Sequence, residues 1–144
     1  MINKWLFTSN TDLWATPQDL FDKLNSEFWF TLDPCATPDN AKCEKYYTIE
    51  DNWLIQSWDY DRVFCNPPYW RQISKWVKKG FESKNLVVML LPARTDTSWF
   101  HDYIYNKSEI RFLRGRLKFG GCKNSAPFPS MVVIFNWLND CKND

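Results

Sequence analysis

The tetrapeptide Asn66-Pro67-Pro68-Tyr69 combines residue types that can bind an amino group and activate it. Because proline lacks a backbone N–H, the Asn66 side-chain oxygen and the Pro67 carbonyl remain as acceptors with no competing donor between them. Two acceptors suit a group that donates twice, such as the exocyclic amine of a planar base, and the Tyr69 ring could stack on that base. Accepting both hydrogens makes the nitrogen a better nucleophile. All four residues are therefore candidate catalytic residues for methyl transfer to a base amine.

The residues before this tetrapeptide decide between a binding site and an ordinary turn. Read alone, Pro67-Pro68 would suit a plain turn after a strand, with Tyr69 in the core. However, Arg62–Cys65 is a short apolar run that predicts a buried strand. Ligands of open α/β sheets bind at the carboxyl ends of strands. This context favours the binding interpretation.

An acidic residue ends the strand predicted at Phe28–Leu32. A carboxylate at this place, Asp33, can face the ammonium or the ribose of a nucleotide-like cofactor, and the small Ala36 lets a ligand approach the backbone. On its own Asp33-Pro34 would be a turn, and only its position one strand before Asn66 favours the cofactor interpretation. No Gly-x-Gly-x-x-Gly follows. A cofactor without phosphates is therefore expected.

Charge is distributed unevenly along the chain. Residues 1–61 carry eleven acids and four bases, and residues 62–144 carry six acids and fourteen bases, giving −7 and +8. Between Glu109 and Asp140 there is no acid, and five bases occur: Arg111, Arg114, Arg116, Lys118 and Lys123. Such a run is more often a solvated surface, but glycines and the aromatic residues Phe119 and Phe128 lie within it. This mixture favours a loop that contacts nucleic acid.

Hydrophobic periodicity predicts a mostly parallel sheet flanked by helices, an α/β fold. The first helix is expected to begin with Thr16 as its N-cap and Pro17 at its first position. A second helix is expected within Trp70–Ser83, and a short one from Thr97 towards Tyr105. Further strands are predicted at Tyr46–Tyr47, Leu86–Leu91, Glu109–Leu113 and Met131–Phe135, the last two as an edge pair.

Length and composition predict one domain, residues 1–144, with a core of about residues 14–137. No stretch of eighteen apolar residues occurs, and Met1–Thr11 is neither a signal peptide nor a lipidation site, so no membrane association and a cytoplasmic location are expected. The five cysteines are scattered, and His101 is the single histidine. Neither a metal site nor a disulfide framework is expected. The oligomeric state is left open.

An ordered set of short motifs carries a resemblance to a known family. Trp-x-Thr-Pro, Leu-Asp-Pro-Cys-Ala, Cys-Asn-Pro-Pro-Tyr, Leu-Leu-Pro-Ala-Arg-Thr-Asp-Thr, Gly-Arg-Leu-Lys-Phe-Gly and Ala-Pro-Phe-Pro-Ser follow one another from Trp14 to about Phe135. The chain thereby resembles the phage-type DNA N6-adenine methyltransferases. The resemblance implies a compact Rossmann-like fold, S-adenosyl-L-methionine as donor, and adenine N6 in double-stranded DNA as acceptor, reached by base flipping and direct in-line transfer. A phage-encoded enzyme would act in the host cytoplasm, where protection against restriction is an expected role.

The resemblance also implies roles for individual residues. Asn66, Pro67 and Tyr69 would hold the flipped adenine. Asp51 or Asn52 would contact the adenine of the cofactor, and Glu44 is a weaker candidate for its ribose. The methionine end of the cofactor would be lined by Trp14, Thr16, Pro17, Asp33, Pro34, Cys35, Ala36 and Asn66. The charge distribution, and not the resemblance, predicts the contacts to the DNA backbone. The residues predicted to make them are Arg94, Arg114, Arg116, Lys118 and Lys123.

Three other functions remain open at this point. Protein methyltransferases of the release-factor glutamine type use the same tetrapeptide, because a carboxamide also presents a planar NH2 group. RNA could be accepted in place of DNA. A non-catalytic nucleic-acid-binding module with the same fold would show a broken acceptor or cofactor motif, and neither motif is broken here. The run of basic residues favours nucleic acid over protein as the substrate.

Overall fold

A computed structural model describes residues 14–69 and 72–137 as an α/β fold built on one six-stranded sheet. Met1–Thr11, the expected helix start at Trp70 and Cys141 lie outside the described residues. Two α-helices are present in the described ranges: α1 (Gln18–Phe28) and α2 (Ile73–Glu82). The strands are β1 (Leu32–Asp33), β2 (Lys45–Tyr46), β3 (Val63–Cys65), β4 (Val87–Pro92), β5 (Glu109–Phe112) and β6 (Ser130–Phe135). Short turns of 3-10 helix occupy Ile49–Asp51 and Trp53–Ile55, and a π-helical turn occupies Phe100–Ile104.

The strand order is β2-β1-β3-β4-β6-β5. Strands β2, β1, β3 and β4 run parallel to one another, whereas β6 is antiparallel to both β4 and β5. The predicted α/β class is confirmed, as is the edge pair of β5 and β6. The sheet as a whole is mixed, because β6 pairs along its full length with β4 in the antiparallel direction.

Helix α1 begins and ends differently from the sequence prediction. Pro17 occupies the N-cap position, and no side chain caps the helix. The helix continues to Phe28, and Trp29 then adopts a left-handed conformation (φ 54°) from which its N–H binds the Asn25 carbonyl at 2.9 Å. The Asn25 side chain also accepts the N–H of Phe30 at 2.8 Å. This ending delays the first strand, so β1 is shorter than predicted.

The core lies on both sides of the two central strands. Every residue of β4 and β6 is buried, which matches their continuous apolar sequences. Helix α2 packs closely against this layer, since a Cβ atom on Gly80 would lie 3.0 Å from the Phe135 ring. One turn earlier in the helix, Trp76 stacks with Trp58 at a centroid distance of 6.1 Å. Close packing of α2 holds the chain that follows β3 in place.

Strand direction brings several predicted site residues to one edge of the sheet. Asp33 ends β1 and Asn66 follows β3, and these two strands are parallel neighbours. Because β5 is antiparallel to β6, which is antiparallel to β4, β5 ends at this same edge. The basic loop, defined as residues 113–129, connects β5 to β6 there. The sheet therefore gathers the tetrapeptide, the acidic turn and the basic loop.

The described residues contain neither a membrane-spanning helix nor a group of side chains arranged to bind a metal. None of their helices has the length and apolar character needed to cross a membrane. Residues 14–69 and 72–137 also contain no group of three or more His, Cys, Asp or Glu side chains arranged to hold a metal ion. Within these ranges Cys35, Cys43, Cys65 and Cys122 are free thiols.

Candidate active site

The amide of Asn66 is held in one orientation by two acceptors from the segment before α1. Its Nδ2 donates to the Trp14 carbonyl and to Thr16 Oγ1, the latter at 3.0 Å. A carbonyl can only accept, so the nitrogen must face Trp14 and the oxygen must face away. Asn66 Oδ1 is buried and has no hydrogen-bond partner among the described residues. Such an orphaned acceptor is costly unless a ligand donates to it.

Asp33 is a second buried acceptor. Its Oδ1 accepts the Cys35 N–H at 3.3 Å, and its Oδ2 accepts the Lys42 N–H at 3.0 Å. Among the described residues, no basic side chain forms an ion pair with this carboxylate. Burial raises the pKa of Asp33 to about 6, against the lowering effects of these two hydrogen bonds and of the Lys42 charge. Among the residues that the structure describes, Asp33 therefore has no ion-pair partner within contact distance, and its burial is compensated only in part.

Asn66 and Asp33 line one cavity of about 140 Å³. The sequence-predicted residues Trp14, Thr16 and Cys35 also line it. Sequence reasoning missed four further lining residues: Ala15, Asn40, Lys42 and Gly120. Ala15 lies between Trp14 and Thr16, and Gly120 follows Phe119, so residues already predicted to be important adjoin both. Asn40 and Lys42 lie in a polar segment without periodicity, and only the turn after β1 brings them to the cavity.

Several other predicted site residues do not line this cavity. Asp51 accepts hydrogen bonds from the Thr48 N–H (2.8 Å) and hydroxyl (3.1 Å), which closes a local turn at the surface. Its neighbour Asn52 and the ribose candidate Glu44 are exposed. Ala36 donates its N–H to the Tyr47 carbonyl at 3.0 Å. The remaining predicted residues outside the lining are Pro17, Pro34, Pro67, Pro68 and Tyr69.

Tyr69 is completely buried. Its hydroxyl donates to the Leu90 carbonyl at 3.0 Å, and burial raises its pKa well above the usual range. The rings of Phe119 and Phe128 meet it edge-on, at centroid distances of 6.3 and 5.5 Å. Stacking of a base on Tyr69, as the sequence predicts, therefore requires these two rings to withdraw.

This burial predicts that truncating Tyr69 damages the fold itself. Tyr69→Ala should lower the free energy of unfolding by about 3–5 kcal/mol, because a buried aromatic ring is replaced by a cavity. Tyr69→Phe should lose only about 1 kcal/mol, the net contribution of one hydrogen bond. Urea unfolding followed by tryptophan fluorescence measures both values. Equal stability of Tyr69→Ala and the parent protein would show that the ring is not packed in the core.

The basic loop packs against this site from the outside. Gly120 donates its N–H to the Ala15 carbonyl at 2.9 Å, forming an antiparallel bridge. The Trp14 ring lies 5.4 Å from Phe119 and 5.5 Å from Phe128. Phe119 and Phe128, which lie in the loop that the sequence predicts to contact nucleic acid, are both buried. The aromatic residues anchor the loop, and its cations Arg114, Arg116, Lys118 and Lys123 are exposed.

The cations at this edge differ in their surroundings. Arg111 binds Glu27 through two 2.7 Å hydrogen bonds and Glu109 at 2.9 Å, so its charge is neutralised. Arg94 is exposed just after β4. The exposed cations that have no carboxylate partner among the described residues are Arg114, Arg116, Lys118 and Lys123.

A larger groove of about 510 Å³ lies elsewhere. It is lined by the chain before β3, including Trp58, and by lysines of α2. Since Asn66 follows β3, this groove is at the other end of the strand. The smaller cavity is the one that gathers the predicted chemistry.

Comparison with known proteins agrees with the motifs. The family model described as DNA N-6-adenine-methyltransferase (Dam) matches residues 5–141. A DNA N-6-adenine-methyltransferase of Escherichia phage T1 is 37% identical over 111 residues, which cover 74% of this chain and 46% of that protein. The putative methyltransferase YfdM of Escherichia coli (strain K12) is 43% identical over 65 residues, 40% of this chain and 71% of that protein. The chain thus spans about half the length of the phage T1 relative. Since the family model matches nearly the whole chain, the protein belongs to the DNA N-6-adenine-methyltransferase (Dam) family, as the resemblance predicted.

Proposed function

We propose that the protein transfers a methyl group from S-adenosyl-L-methionine to the N6 amino group of adenine in double-stranded DNA. The observation that carries this proposal is the buried, unpartnered Asn66 Oδ1. An exocyclic amine supplies the missing donor, and its second hydrogen can be accepted by the Pro67 carbonyl. Family membership supports adenine in DNA as the source of that amine. The four parallel strands β2-β1-β3-β4 support a Rossmann-like methyltransferase fold.

The cavity fits the amino-acid end of the proposed cofactor. Asp33 and Lys42 both line it, and the Lys42 ammonium donates to Gln18 Oε1 at 2.7 Å. The Asp33 carboxylate suits the ammonium of an amino acid, and the Lys42 ammonium, once released from Gln18, suits its carboxylate. Its volume is about 140 Å³. When bound, the cofactor supplies an electrophilic methyl group on a sulfonium. The protein side chains would hold its amino-acid end beside Asn66.

The proposed transfer is direct, from sulfonium to adenine nitrogen, without a covalent enzyme intermediate. Cys65 adjoins Asn66 but is fully buried, and burial raises the pKa of its thiol well above the usual range. A protonated, inaccessible thiol is a poor nucleophile. Catalysis then rests on placing the amine and on accepting its hydrogens as positive charge develops on the nitrogen.

DNA binding is proposed for the outward cations at the same edge. Adenine N6 cannot be approached perpendicular to the ring within the base stack, so the base must leave the duplex at a cost on the order of a few kcal/mol. Phosphate contacts can offset this cost. Arg114, Arg116, Lys118 and Lys123 are exposed beside the cavity, and Arg94 follows β4 nearby.

A labelling experiment tests the function. The purified protein is incubated with methyl-labelled cofactor and separately with long unmethylated duplex DNA, RNA or a protein extract. DNA is then digested to nucleosides, and label is expected in N6-methyldeoxyadenosine. Label in N4-methylcytosine would assign the wrong base, and label in RNA or protein alone would assign the wrong class of acceptor. No transfer at all would contradict the proposal.

The raised pKa of Asp33 predicts a pH-dependent affinity for S-adenosylhomocysteine, which carries the same amino-acid end. Below pH 6 the ammonium group of the ligand must displace a proton from Asp33, whose pKa is about 6. Affinity should therefore rise by up to about tenfold per pH unit from pH 5 to 6 and level off near pH 7. The ligand ammonium, with a pKa of about 7.7–8.0, stays charged over this range. Isothermal titration calorimetry measures the affinities.

The matched control is Asp33→Asn, which should bind weakly with an affinity that does not change across this pH range. An equally steep rise in Asp33→Asn would assign the titration to another group.

The pH dependence of folding stability that Asp33 causes is opposite in sign to that of the ligand affinity. Because the folded pKa of about 6 exceeds its ordinary value of 3.8, Asp33 favours the folded state at low pH and loses this contribution as pH rises through 6.

A further inference from the structure

We propose that Thr16 is a positioning residue for the amide of Asn66, a role that rests on the proposed function. The Thr16 hydroxyl would hold Asn66 so that its Oδ1 points at the substrate amine. This role differs from the cofactor contact that the family resemblance implies for Thr16. It also differs from the helix cap that the local sequence predicts, because Thr16 forms no cap hydrogen bond in α1.

The hydrogen-bond inventory of the Asn66 amide carries the proposal. Its nitrogen has two hydrogens, one directed to the Trp14 carbonyl and the other to Thr16 Oγ1 at 3.0 Å. Both donors are therefore used within the protein, and Oδ1 is the single open position of the amide. Thr16 is buried, so water does not compete effectively for this contact.

The two contacts have different consequences for catalysis. The Trp14 carbonyl excludes the flipped amide, because rotation by half a turn would place two acceptors against each other. It leaves the tilt of the amide plane less constrained, since one hydrogen bond tolerates a range of angles. The bond to Thr16 adds a second fixed point on the same nitrogen. Two fixed points define the plane of the amide and hence the direction of Oδ1.

The segment that carries these acceptors is itself immobilised. Ala15 forms the antiparallel bridge with Gly120, and the Trp14 ring packs between Phe119 and Phe128. A Cβ atom on Gly120 would approach the Ala15 Cβ to 3.3 Å, so the two backbones are close. Trp14–Thr16 is thus held between the catalytic Asn66 and the basic loop. A rigid support of this kind is what precise placement of an acceptor requires.

Kinetics with two variants test the role. Thr16→Val keeps the shape of the side chain and removes the acceptor, whereas Thr16→Ser keeps the hydroxyl. We expect Thr16→Val to lower kcat by on the order of tenfold or more. Because Thr16 also lines the cavity proposed for the cofactor, the KM for cofactor and the Kd for S-adenosylhomocysteine should change as well, but by a smaller factor than kcat. Thr16→Ser should retain most of the parent kcat. A weakened Kd in Thr16→Val with unchanged kcat would make Thr16 a cofactor residue and overturn the proposal.

An NMR measurement tests the geometry without catalysis. The side-chain NH2 signals of Asn66 in the ligand-free protein are assigned by their absence in Asn66→Ala. Both hydrogens should exchange slowly with water in the parent protein and in Thr16→Ser, and one should exchange faster in Thr16→Val. Unchanged exchange in Thr16→Val would contradict the contact itself. If the parent protein transferred no methyl group, this result would still test the contact, so failure of the function and failure of the inference are distinguishable.

Discussion

Asn66→Ala should lower the rate of methyl transfer by at least on the order of 10²–10³-fold, the effect of removing one preorganised polar group that stabilises developing charge. The affinity for S-adenosylhomocysteine should change little, because Asp33 and Lys42, which we propose to bind the amino-acid end of the ligand, are unchanged in this variant. Single-turnover assays on duplex DNA give the rate, and calorimetry gives the affinity. The combination separates loss of chemistry from loss of cofactor binding.

Asn66→Asp distinguishes an oriented amide from a simple acceptor. Aspartate keeps an oxygen at the Oδ1 position. However, its carboxylate cannot donate a hydrogen bond to the Trp14 carbonyl or to Thr16 Oγ1, as the Asn66 nitrogen does. Repulsion between a carboxylate and a carbonyl should displace the side chain, so this variant should be nearly as inactive as Asn66→Ala. Full activity of Asn66→Asp would show that the orientation by Trp14 and Thr16 is irrelevant to catalysis.

Cys65→Ala is the matched control on the neighbouring residue. It removes a buried thiol that the proposed reaction does not use, so transfer should continue at a rate close to that of the parent protein. A small loss of stability is expected because Cys65 is part of the core. An active Asn66→Ala together with an inactive Cys65→Ala would transfer the catalytic role to the thiol and refute the proposed mechanism.

The double variant Arg114→Ala/Arg116→Ala should bind DNA more weakly at every sequence and with a flatter dependence on salt. Each lost phosphate contact should reduce the slope of log K against log salt by roughly one unit, so two contacts reduce it by roughly two. Both residues are exposed and have no carboxylate partner among the described residues, so their charges are available to phosphates. Fluorescence anisotropy with labelled duplexes at several salt concentrations measures the slope.

The chain offers a control with the same loss of charge. Lys84 and Lys107 are exposed and precede β4 and β5, at the end of the sheet away from Asn66. Lys84→Ala/Lys107→Ala should therefore leave the salt slope nearly unchanged. If this control weakened binding as strongly as the arginine variant, the effect would reflect net charge alone. If the arginine variant bound DNA normally and lost the cofactor, the basic loop would belong to the donor pocket.

Local patterns in the sequence were sufficient for the fold class and for the edge of the sheet that carries the site. The continuous apolar runs at β4 and β6 predict buried strands because such segments have few alternatives in a folded protein. Asp33 and Asn66 were assigned to strand ends on the same grounds, and parallel pairing of β1 and β3 places them together. The ordered motifs were specific enough to predict the family.

Local patterns were misleading where a residue has a distant partner. Thr16 before Pro17 has the signature of a helix cap, but its hydroxyl instead receives the amide of Asn66, fifty positions away in the sequence. Phe119 and Phe128 lie in a basic, glycine-bearing loop and suggested an exposed surface, but Trp14 and Tyr69 bury them. Helix-capping patterns and local composition depend on residues that are neighbours in the sequence. They therefore do not account for the energy of contacts between residues that are distant in the sequence.

The orientation of the Asn66 amide and the identity of the residues that line the cavity were decided by the tertiary structure alone. Sequence identifies Asn66 as an acceptor, but only the Trp14 carbonyl shows which of its two polar atoms remains open. Lys42 has no motif around it, and it reaches the cavity because the turn after β1 closes on the Asp33 carboxylate through its backbone N–H. Burial of that carboxylate, which raises its pKa, likewise depends on the packing of segments that are distant in the chain.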